Sequence, residues 1–139
     1  MRYYLSLGAN LGEREINLRK AIEKMEQRIG KVIRCSSFYY SEPWGFQSEH
    51  PFCNLCCAVE SSLSPLEVLH STQAIERALG RKEKSQMANY TDRCIDIDII
   101  RAFDDQGTEL FIDTPTLTIP HQLWQERDFV KVPLAEIIH

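Results

Sequence analysis

Hydrophobic residues follow two different periods along the chain, and the switch between them predicts where strands and helices lie. In four short stretches either every second residue is hydrophobic or several hydrophobic residues follow one another. Such patterns are typical of strands, because successive side chains of a strand point to opposite faces. The predicted strands cover residues 2–7, 31–39, 52–60 and 94–103.

Two longer stretches between these strands carry hydrophobic residues at helical spacing. The first predicted helix covers residues 10–28, with Asn10 as its N-cap and Glu13 at the capping-box position. The second begins at Ser64, where a capping serine precedes a proline and a glutamate, and it runs to Leu79. The elements therefore follow the order strand, helix, strand, strand, helix, strand.

Two irregular segments, residues 41–51 and 81–92, separate these elements. The first has two prolines and aromatic residues, the second is polar with a basic start, and loops of this length in compact domains are usually functional or disordered. After the last long strand we expect a turn at residues 104–107, a returning strand over 109–112, a short helix near 122–126 and a final helix from about Phe129.

The element order favours an α+β fold of the ferredoxin-like type. In that fold a βαββαβ chain forms an antiparallel sheet with helices on one face, here with an extra hairpin strand and C-terminal helices added. The opposite face of the sheet would be left open for a ligand. A length of 139 residues fits one domain, so we expect a single domain over residues 1–139.

Charge and hydropathy restrict the partners. The net charge of −4 does not favour nucleic acid, because a phosphate backbone calls for a basic face. No apolar run approaches the roughly 20 residues that a membrane span needs. We therefore expect small-molecule partners, no membrane association and a monomer.

Five cysteines are present, and no signal peptide precedes the first predicted strand. An odd number of cysteines without such a segment favours reduced thiols in a cytoplasmic protein. The spacing of Cys53, Cys56 and Cys57 admits a zinc site, but no second Cys or His pair at metal spacing follows. Buried thiols within a strand are the favoured interpretation.

The strongest chemical signal is the alternation around Asp96 and Asp98. Ile95, Ile97 and Ile99 would face the core, so the two carboxylates would stand side by side on the other face, about 7 Å apart. Two such carboxylates repel each other unless a cation lies between them, and hard oxygen ligands suit Mg²⁺. The alternative is a half-exposed strand whose acids simply face water.

Other candidate features are weaker. Beside metal-binding carboxylates, the basic residues Arg81, Lys82, Lys84 and Arg93 would form a polyphosphate site. Taken on their own, they are better explained as a solvated charge run. The turn at residues 8–12 is glycine-rich but lacks the Gly-Lys-Ser/Thr ending of a phosphate loop, so a tight turn is favoured. His121 is either structural or a ligand contact.

Several segments together have the motifs and order of one known family. Residues 93–98, Arg-Cys-Ile-Asp-Ile-Asp, match an Arg-x-x-Asp-hydrophobic-Asp signature. The other matching segments are residues 4–12, 36–45, 51–54 and the closing pieces 119–121, 127–129 and 133–137. Nearly the whole chain thus resembles the 6-hydroxymethyl-7,8-dihydropterin pyrophosphokinases of folate biosynthesis.

The resemblance implies a reaction and a set of roles. Members of this family transfer pyrophosphate from ATP to the hydroxymethyl oxygen of the pterin and release AMP. The resemblance implies that Asp96 and Asp98 hold two Mg²⁺ ions, and that the catalytic residues are Arg93, Asp96 and Asp98. The residues implied to bind the pterin are Ser41, Pro43, Trp44, Phe52, Asn54 and Phe129. The residues implied to bind the nucleotide are Gln73, Arg81, Lys84, Tyr90, Arg93, Ile99, His121 and Arg127.

The chain departs from the family pattern mainly before Arg93, where Tyr90-Thr91-Asp92 replaces a Trp-Gly-Pro-like run. Lys82 is an alternative to Lys84 there, and Ser41 stands where threonine is usual. Two other functions are weighed against the pyrophosphokinase. One is a nuclease or phosphohydrolase that uses the same carboxylates with water as the nucleophile, and the other is a non-catalytic binding module whose acids face solvent.

Overall fold

A computed structural model describes residues 1–41, 51–80 and 95–138. Its main feature is a five-stranded antiparallel sheet. The strands are β1 (Arg2–Ala9), β2 (Lys31–Cys35), β3 (Tyr39–Ser41), β4 (Phe52–Glu60) and β5 (Asp96–Phe103). The sheet order is β2, β4, β1, β5, and the short β3 pairs with β4 beyond the end of β2.

Three α-helices and a small ribbon complete the described fold. The helices are α1 (Arg14–Arg28), α2 (Pro65–Ala78) and α3 (Asp128–Ile137). A two-stranded ribbon of β6 (Ile112–Asp113) and β7 (Thr118–Ile119) follows the sheet, and a single 3₁₀ turn (Trp124–Glu126) precedes α3. This arrangement confirms the predicted ferredoxin-like α+β fold with an added hairpin and C-terminal helices.

Two hydrophobic clusters lie on opposite faces of the sheet. On one face, Leu5 and Leu7 of β1 pack with residues of α1 and α2 such as Leu18 and Ile75. On the other face, α3 packs its Leu134 against a cluster that contains β-strand residues Tyr4, Ala58 and Ile100. The second face is therefore covered in part, whereas the sequence analysis leaves it open.

The start of α1 differs from the prediction. The helix begins at Arg14 with Glu13 as its N-cap and has no side-chain cap hydrogen bond. Gly12 has a φ of +67°, which a helical residue does not have, and Asn10 is buried at the end of β1 instead of capping the helix. By contrast, the predicted capping box of α2 is present, with Ser64 Oγ accepting from the Glu67 amide at 3.3 Å and Glu67 Oε1 accepting from the Ser64 amide at 2.8 Å.

Two predicted strands are shorter than expected. The stretch 31–39 is divided into β2 and β3, because the Ser36 side chain takes the backbone hydrogen bond of Cys56 and ends the ladder there. The returning strand expected over 109–112 reduces to a bridge between Phe103 and Glu109, after which the chain pairs as the separate ribbon. The short helix near 122–126 is the single 3₁₀ turn.

Candidate active site

The two carboxylates of β5 lie on one face of the sheet, as the alternation predicts. Ile97 and Ile99 are buried in the cluster beneath α1 and α2, while Asp96 and Asp98 are half-buried on the opposite face. In the register with β1, Asp96 lies opposite Gly8 and Asp98 lies opposite Ser6. Adjacent acidic side chains on a paired strand have fixed spacing, which suits the joint binding of a cation.

Glu76 of α2 fixes the backbone between these carboxylates. Its Oε2 accepts a 2.7 Å hydrogen bond from the amide of Ile97, and only 6% of the residue is exposed. The Ile97 amide donates to the Glu76 side chain and not to another strand. Glu76 therefore satisfies one of the hydrogen-bond donors on the outer edge of β5. The sequence analysis does not select Glu76, although a carboxylate beside Thr72 and Ile75 on the buried side of a helix is a detectable signal.

A row of three residues crosses the sheet from the amide of Asn54 to the carboxylate of Asp96. Gly8 of β1 lies opposite Asn54 of β4 on one side and opposite Asp96 of β5 on the other. Since strands are about 4.8 Å apart, the Cα atoms of Asn54 and Asp96 are about 10 Å apart. An amide that can form hydrogen bonds with a polar ring and a carboxylate that can bind a cation thus lie on the same face of the sheet.

β3 completes the polar group around Asn54. Asn54 is buried, and its Nδ2 donates a 3.2 Å hydrogen bond to Ser41 Oγ. Ser41 lies opposite Phe52, whose side chain is half-buried. Three of the residues predicted to bind the pterin, Ser41, Phe52 and Asn54, are therefore brought together by the pairing of β3 with β4.

Gly8 leaves the space that the Asn54 amide occupies. A β-carbon at residue 8 would lie 2.5 Å from Asn54 Oδ1 and 3.8 Å from the ring of Phe52. No ordinary non-bonded carbon–oxygen contact is this short, so any side chain here would displace the amide. The glycine that sequence analysis assigns to a tight turn is instead a strand residue needed for close packing.

Phe129 and Arg127 lie at the start of α3, on the same sheet face. Phe129 packs against the cluster that contains Tyr4 and Cys56, and the guanidinium carbon of Arg127 is 5.8 Å from the centre of its ring. That distance is within the range of a cation–π contact. The α3 helix therefore delivers an aromatic ring and a cation to the face that carries Asn54 and the carboxylates.

His121 lies close enough to Arg127 and Asp96 for their charges to act on it. Burial lowers the pKa of His121 below its usual value, Arg127 lowers this pKa further, and Asp96 acts in the opposite direction. The Nδ1 atom accepts a 3.3 Å hydrogen bond from the amide of Leu123, and the His121 amide donates to the carbonyl of Ile100 at 2.9 Å. A lowered pKa favours the neutral ring, and a neutral ring that accepts at Nδ1 carries its hydrogen on Nε2.

A cavity of about 300 Å³ opens beside Asp98 and His121. It is large enough for a small heterocycle, and ligand sites commonly begin at this size. Its wall includes Ile99, another residue predicted to bind the nucleotide. The other lining residues are Leu69, Ile97, Thr116, Leu117, Thr118, Gln122 and Leu123. The sequence analysis did not select the ribbon residues, because nothing local in their sequence indicates that the ribbon folds back onto β5.

The remaining predicted binding residues either lie away from this cavity or fall outside the described residues. Gln73 is exposed on α2 and is not among the residues that line this cavity. The other members of the predicted site lie outside the described residues, namely Pro43, Trp44, Arg81, Lys82, Lys84, Tyr90 and Arg93.

The donor set at Asp96 and Asp98 fits a hard divalent cation. Within residues 1–41, 51–80 and 95–138, no three His, Cys, Asp or Glu side chains come together as a complete metal site. Mg²⁺ commonly takes only one or two carboxylates and completes its shell with water and substrate phosphates. Two carboxylates on one strand, of which Asp98 lines a ligand-sized cavity, therefore suit Mg²⁺ that is shared with a substrate.

The described helices include none that combines the length and the apolar character needed to cross a membrane.

Comparisons with known proteins agree on one family. Residues 4–139 match the family model described as 7,8-dihydro-6-hydroxymethylpterin-pyrophosphokinase. A 2-amino-4-hydroxy-6-hydroxymethyldihydropteridine pyrophosphokinase of Porphyromonas gingivalis is 48% identical over 135 residues, which are 96% of this chain and 88% of that protein. The enzyme of the same name from Bacillus subtilis is 37% identical over 135 residues, covering 96% of this chain and 76% of that protein.

Solved structures show the same fold at low sequence identity. Plasmodium falciparum HPPK-DHPS, crystallised with pterin and p-hydroxybenzoate, superposes with a TM-score of 0.71 at 16% identity. The match covers 99% of this chain but only 39% of that one. Another HPPK-DHPS structure, in complex with substrates, gives a TM-score of 0.70 at 17% identity and is covered to 40%. The chain therefore spans about two fifths of these longer proteins.

Proposed function

The chain belongs to the 7,8-dihydro-6-hydroxymethylpterin-pyrophosphokinase family, and we infer that it transfers pyrophosphate to 6-hydroxymethyl-7,8-dihydropterin in folate biosynthesis. ATP is the co-substrate, and AMP is the second product. The observation that carries this proposal is the row formed by Asn54, Gly8 and Asp96, which puts a ring-reading amide and paired carboxylates on one sheet face. Neither a water-using hydrolase nor a solvent-facing strand explains the amide and the aromatic side chains beside it.

We propose that Asp96 and Asp98 hold Mg²⁺, with two ions expected. The carboxylates supply hard oxygen ligands at fixed spacing on β5, and Glu76 holds the amide between them. When bound, Mg²⁺ would neutralise negative charge on the phosphates. The protein's part is to keep the two acids on the same face of the sheet.

The pterin side of the site is proposed to consist of Asn54, Ser41, Phe52 and Phe129. An amide offers one donor and one acceptor, which matches the donor–acceptor edge of a pterin ring. Ser41 orients that amide through its 3.2 Å hydrogen bond. The two aromatic rings would stack on the flat heterocycle with offset geometry. Pro43 and Trp44 belong to the same proposal.

We propose that the nucleotide binds beside β5 and the ribbon of β6 and β7. Asp98, Ile99 and His121 line the 300 Å³ cavity there. A neutral His121 can donate from Nε2 to a nucleotide oxygen, and Arg127 is near enough to add positive charge. Arg81, Lys84, Tyr90, Arg93 and Gln73 complete this proposal.

Positioning accounts for most of the chemistry that this site would perform. The hydroxymethyl oxygen loses its proton to solvent and forms a bond to the β-phosphorus. The bond from that phosphorus to the bridging oxygen breaks, and AMP leaves with that oxygen. Such transfers need alignment and charge neutralisation more than covalent help from the protein. Cationic side chains, Arg93 among them, would stabilise the charge that develops on the phosphate oxygens.

The activity can be tested by incubating the protein with ATP, Mg²⁺ and 6-hydroxymethyl-7,8-dihydropterin and resolving the nucleotides. We expect AMP that forms only when the pterin is present. ADP and phosphate without pterin would indicate a hydrolase, and bound ligands without turnover would indicate a binding module. Either of those results contradicts the proposal.

A second test concerns the stacking residue. Phe129→Ala removes one proposed face of the pterin pocket and should weaken pterin binding about 30-fold, since stacking and lost burial together account for roughly 2 kcal/mol. ATP binding should change less than threefold. Calorimetric titration with each ligand separates the two effects. Val132→Ala is the matched control, because Val132 lies exposed on the same helix. A larger loss for ATP than for pterin would mean that the pocket is misplaced.

The single pyrophosphokinase domain over residues 1–139, the cytoplasmic location and the monomeric state stay predictions.

A further inference from the structure

Two thiols on adjacent strands touch each other at the edge of the sheet. Cys35 at the end of β2 lies directly opposite Cys57 of β4 in the register, and their Sγ atoms are 3.0 Å apart. Cys35 is exposed on the edge strand, whereas Cys57 is fully buried beneath it. One thiol is therefore open to reagents in solution, and the other can be reached only through the first.

The local strand pairing sets these residues at the spacing that a disulfide needs. The Ser36 amide donates to the Cys56 carbonyl at 2.8 Å, so the next pair, Cys35 with Cys57, is a non-hydrogen-bonded pair of the antiparallel ladder. In such pairs the Cα atoms are about 4.5 Å apart and the side chains are closest, which lies within the Cα range of natural disulfides. The bond could therefore form without a shift of either strand.

We propose that Cys35 and Cys57 are a thiol–disulfide site, which a small-molecule disulfide converts reversibly into a cross-strand disulfide bond. This inference does not depend on the proposed pyrophosphokinase reaction.

The two thiols have distinct parts in the reaction. The hydrogen bond from the Cys57 thiol lowers the pKa of Cys35, although burial opposes this effect. The Cys35 thiolate attacks one sulfur of the small disulfide, which forms a mixed disulfide and expels one thiolate. The Cys57 sulfur then loses its proton and attacks Cys35 Sγ, and the second half of the reagent leaves as a thiol. Two protein thiols are oxidised while one disulfide is reduced to two thiols, so electrons and protons balance.

The neighbouring cysteines of β4 are not equivalent to Cys57. Cys56 points to the other face of the sheet, where its thiol lies 3.7 Å from the carbonyl of Val130. Cys53 is fully buried and lies opposite Tyr40 in the register. The geometry therefore selects one disulfide among the cysteines of β2 and β4.

The disulfide would close a loop that contains residues 36–56. This loop includes β3 and the first half of β4, with Ser41 and Asn54 among its residues. A cross-link over this span restricts the unfolded chain, so the oxidised protein should melt about 10 °C higher than the reduced protein. The edge strand β2 would also be tied covalently to the centre of the sheet.

The test is oxidation of the folded protein by glutathione disulfide in buffer without denaturant. We expect the wild type to lose two of its five thiols and the mass of two hydrogen atoms, with no glutathione retained, and dithiothreitol to restore the starting mass. Cleavage after glutamate separates Cys35 from Cys57, because Glu49 lies between them in the sequence and is followed by His50. The oxidised sample should therefore yield these two fragments joined, and reduction should release them.

Single variants identify the partner thiol. Cys35→Ser and Cys57→Ala should abolish the cross-link and the rise in melting temperature, whereas Cys53→Ala and Cys56→Ala should keep both. Cys57→Ala with intact Cys35 should stop at the glutathione adduct, which shows that this variant is folded and that Cys35 is reactive. The proposal is overturned if the wild type also stops at that adduct, if Cys35 pairs with any other cysteine, or if the cross-link forms only in denaturant.

Discussion

Asp96→Asn and Asp98→Asn should each lower kcat at least about 1000-fold, because each change removes a charged oxygen ligand from ions that must neutralise a triphosphate. Asparagine keeps the shape of the side chain and its place on β5, so the sheet should be retained. Turnover is measured as pterin-dependent AMP at saturating ATP and pterin. Raising the Mg²⁺ concentration should recover part of the activity, because a weakened metal site fills at higher concentration.

Asp105→Asn supplies the matched control for this prediction. Asp105 is an exposed aspartate in the turn after β5, and the change removes the same charge away from the row of Asn54, Gly8 and Asp96 and from the cavity beside Asp98. Its activity should stay within twofold of the wild type, and all three variants should melt at similar temperatures. Full activity in either strand variant would refute the assignment of the carboxylates to the metal.

The features that sequence predicts well are those fixed by local chemistry. The bounds of β4 and the capping box of α2 are confirmed to the residue, since a short hydrophobic run and a Ser-Pro-x-Glu start depend only on near neighbours. The placement of Asp96 and Asp98 on one face is confirmed for the same reason. An alternating strand can bury Ile97 and Ile99 in only one way.

The features that sequence misses depend on contacts between distant residues. Nothing near residue 76 indicates that Glu76 will reach the amide of Ile97, because the contact requires the docking of α2 against β5. The coverage of the second face depends on α3, which begins 25 residues after β5 ends. The division of the stretch 31–39 also follows from a partner on β4, since the Ser36 side chain bonds the amide of Cys56.

The position of Gly8 links the fold to the proposed pterin pocket. Residue 8 lies between the two chemical groups of the site and contributes no side chain of its own. Gly8 leaves space for the side chain of Asn54. An alanine at this position would displace the Asn54 amide and would not reach the metal-binding carboxylates. A single added methyl group therefore distinguishes recognition of the pterin from phosphate chemistry.

Gly8→Ala should raise the KM for the pterin about 100-fold while the KM for ATP changes less than threefold. The new Cβ would lie 2.5 Å from Asn54 Oδ1, so the amide must turn away from Ser41 and from the pterin edge. Loss of two hydrogen bonds in a buried site corresponds to roughly 3 kcal/mol. Steady-state kinetics with each substrate varied in turn measures both KM values. A comparable rise for ATP would instead indicate general damage to the sheet.

A double-mutant cycle tests whether Gly8 acts through Asn54. Asn54→Ala removes the amide that the methyl group would displace, so it should raise the KM for the pterin by a similar factor. Adding Gly8→Ala to this variant should then cost less than about threefold more, because the space is already vacant. If the two increases in KM instead multiply, the methyl group must act on another part of the pocket. Phe52, whose ring lies 3.8 Å from the added carbon, is then the residue to examine.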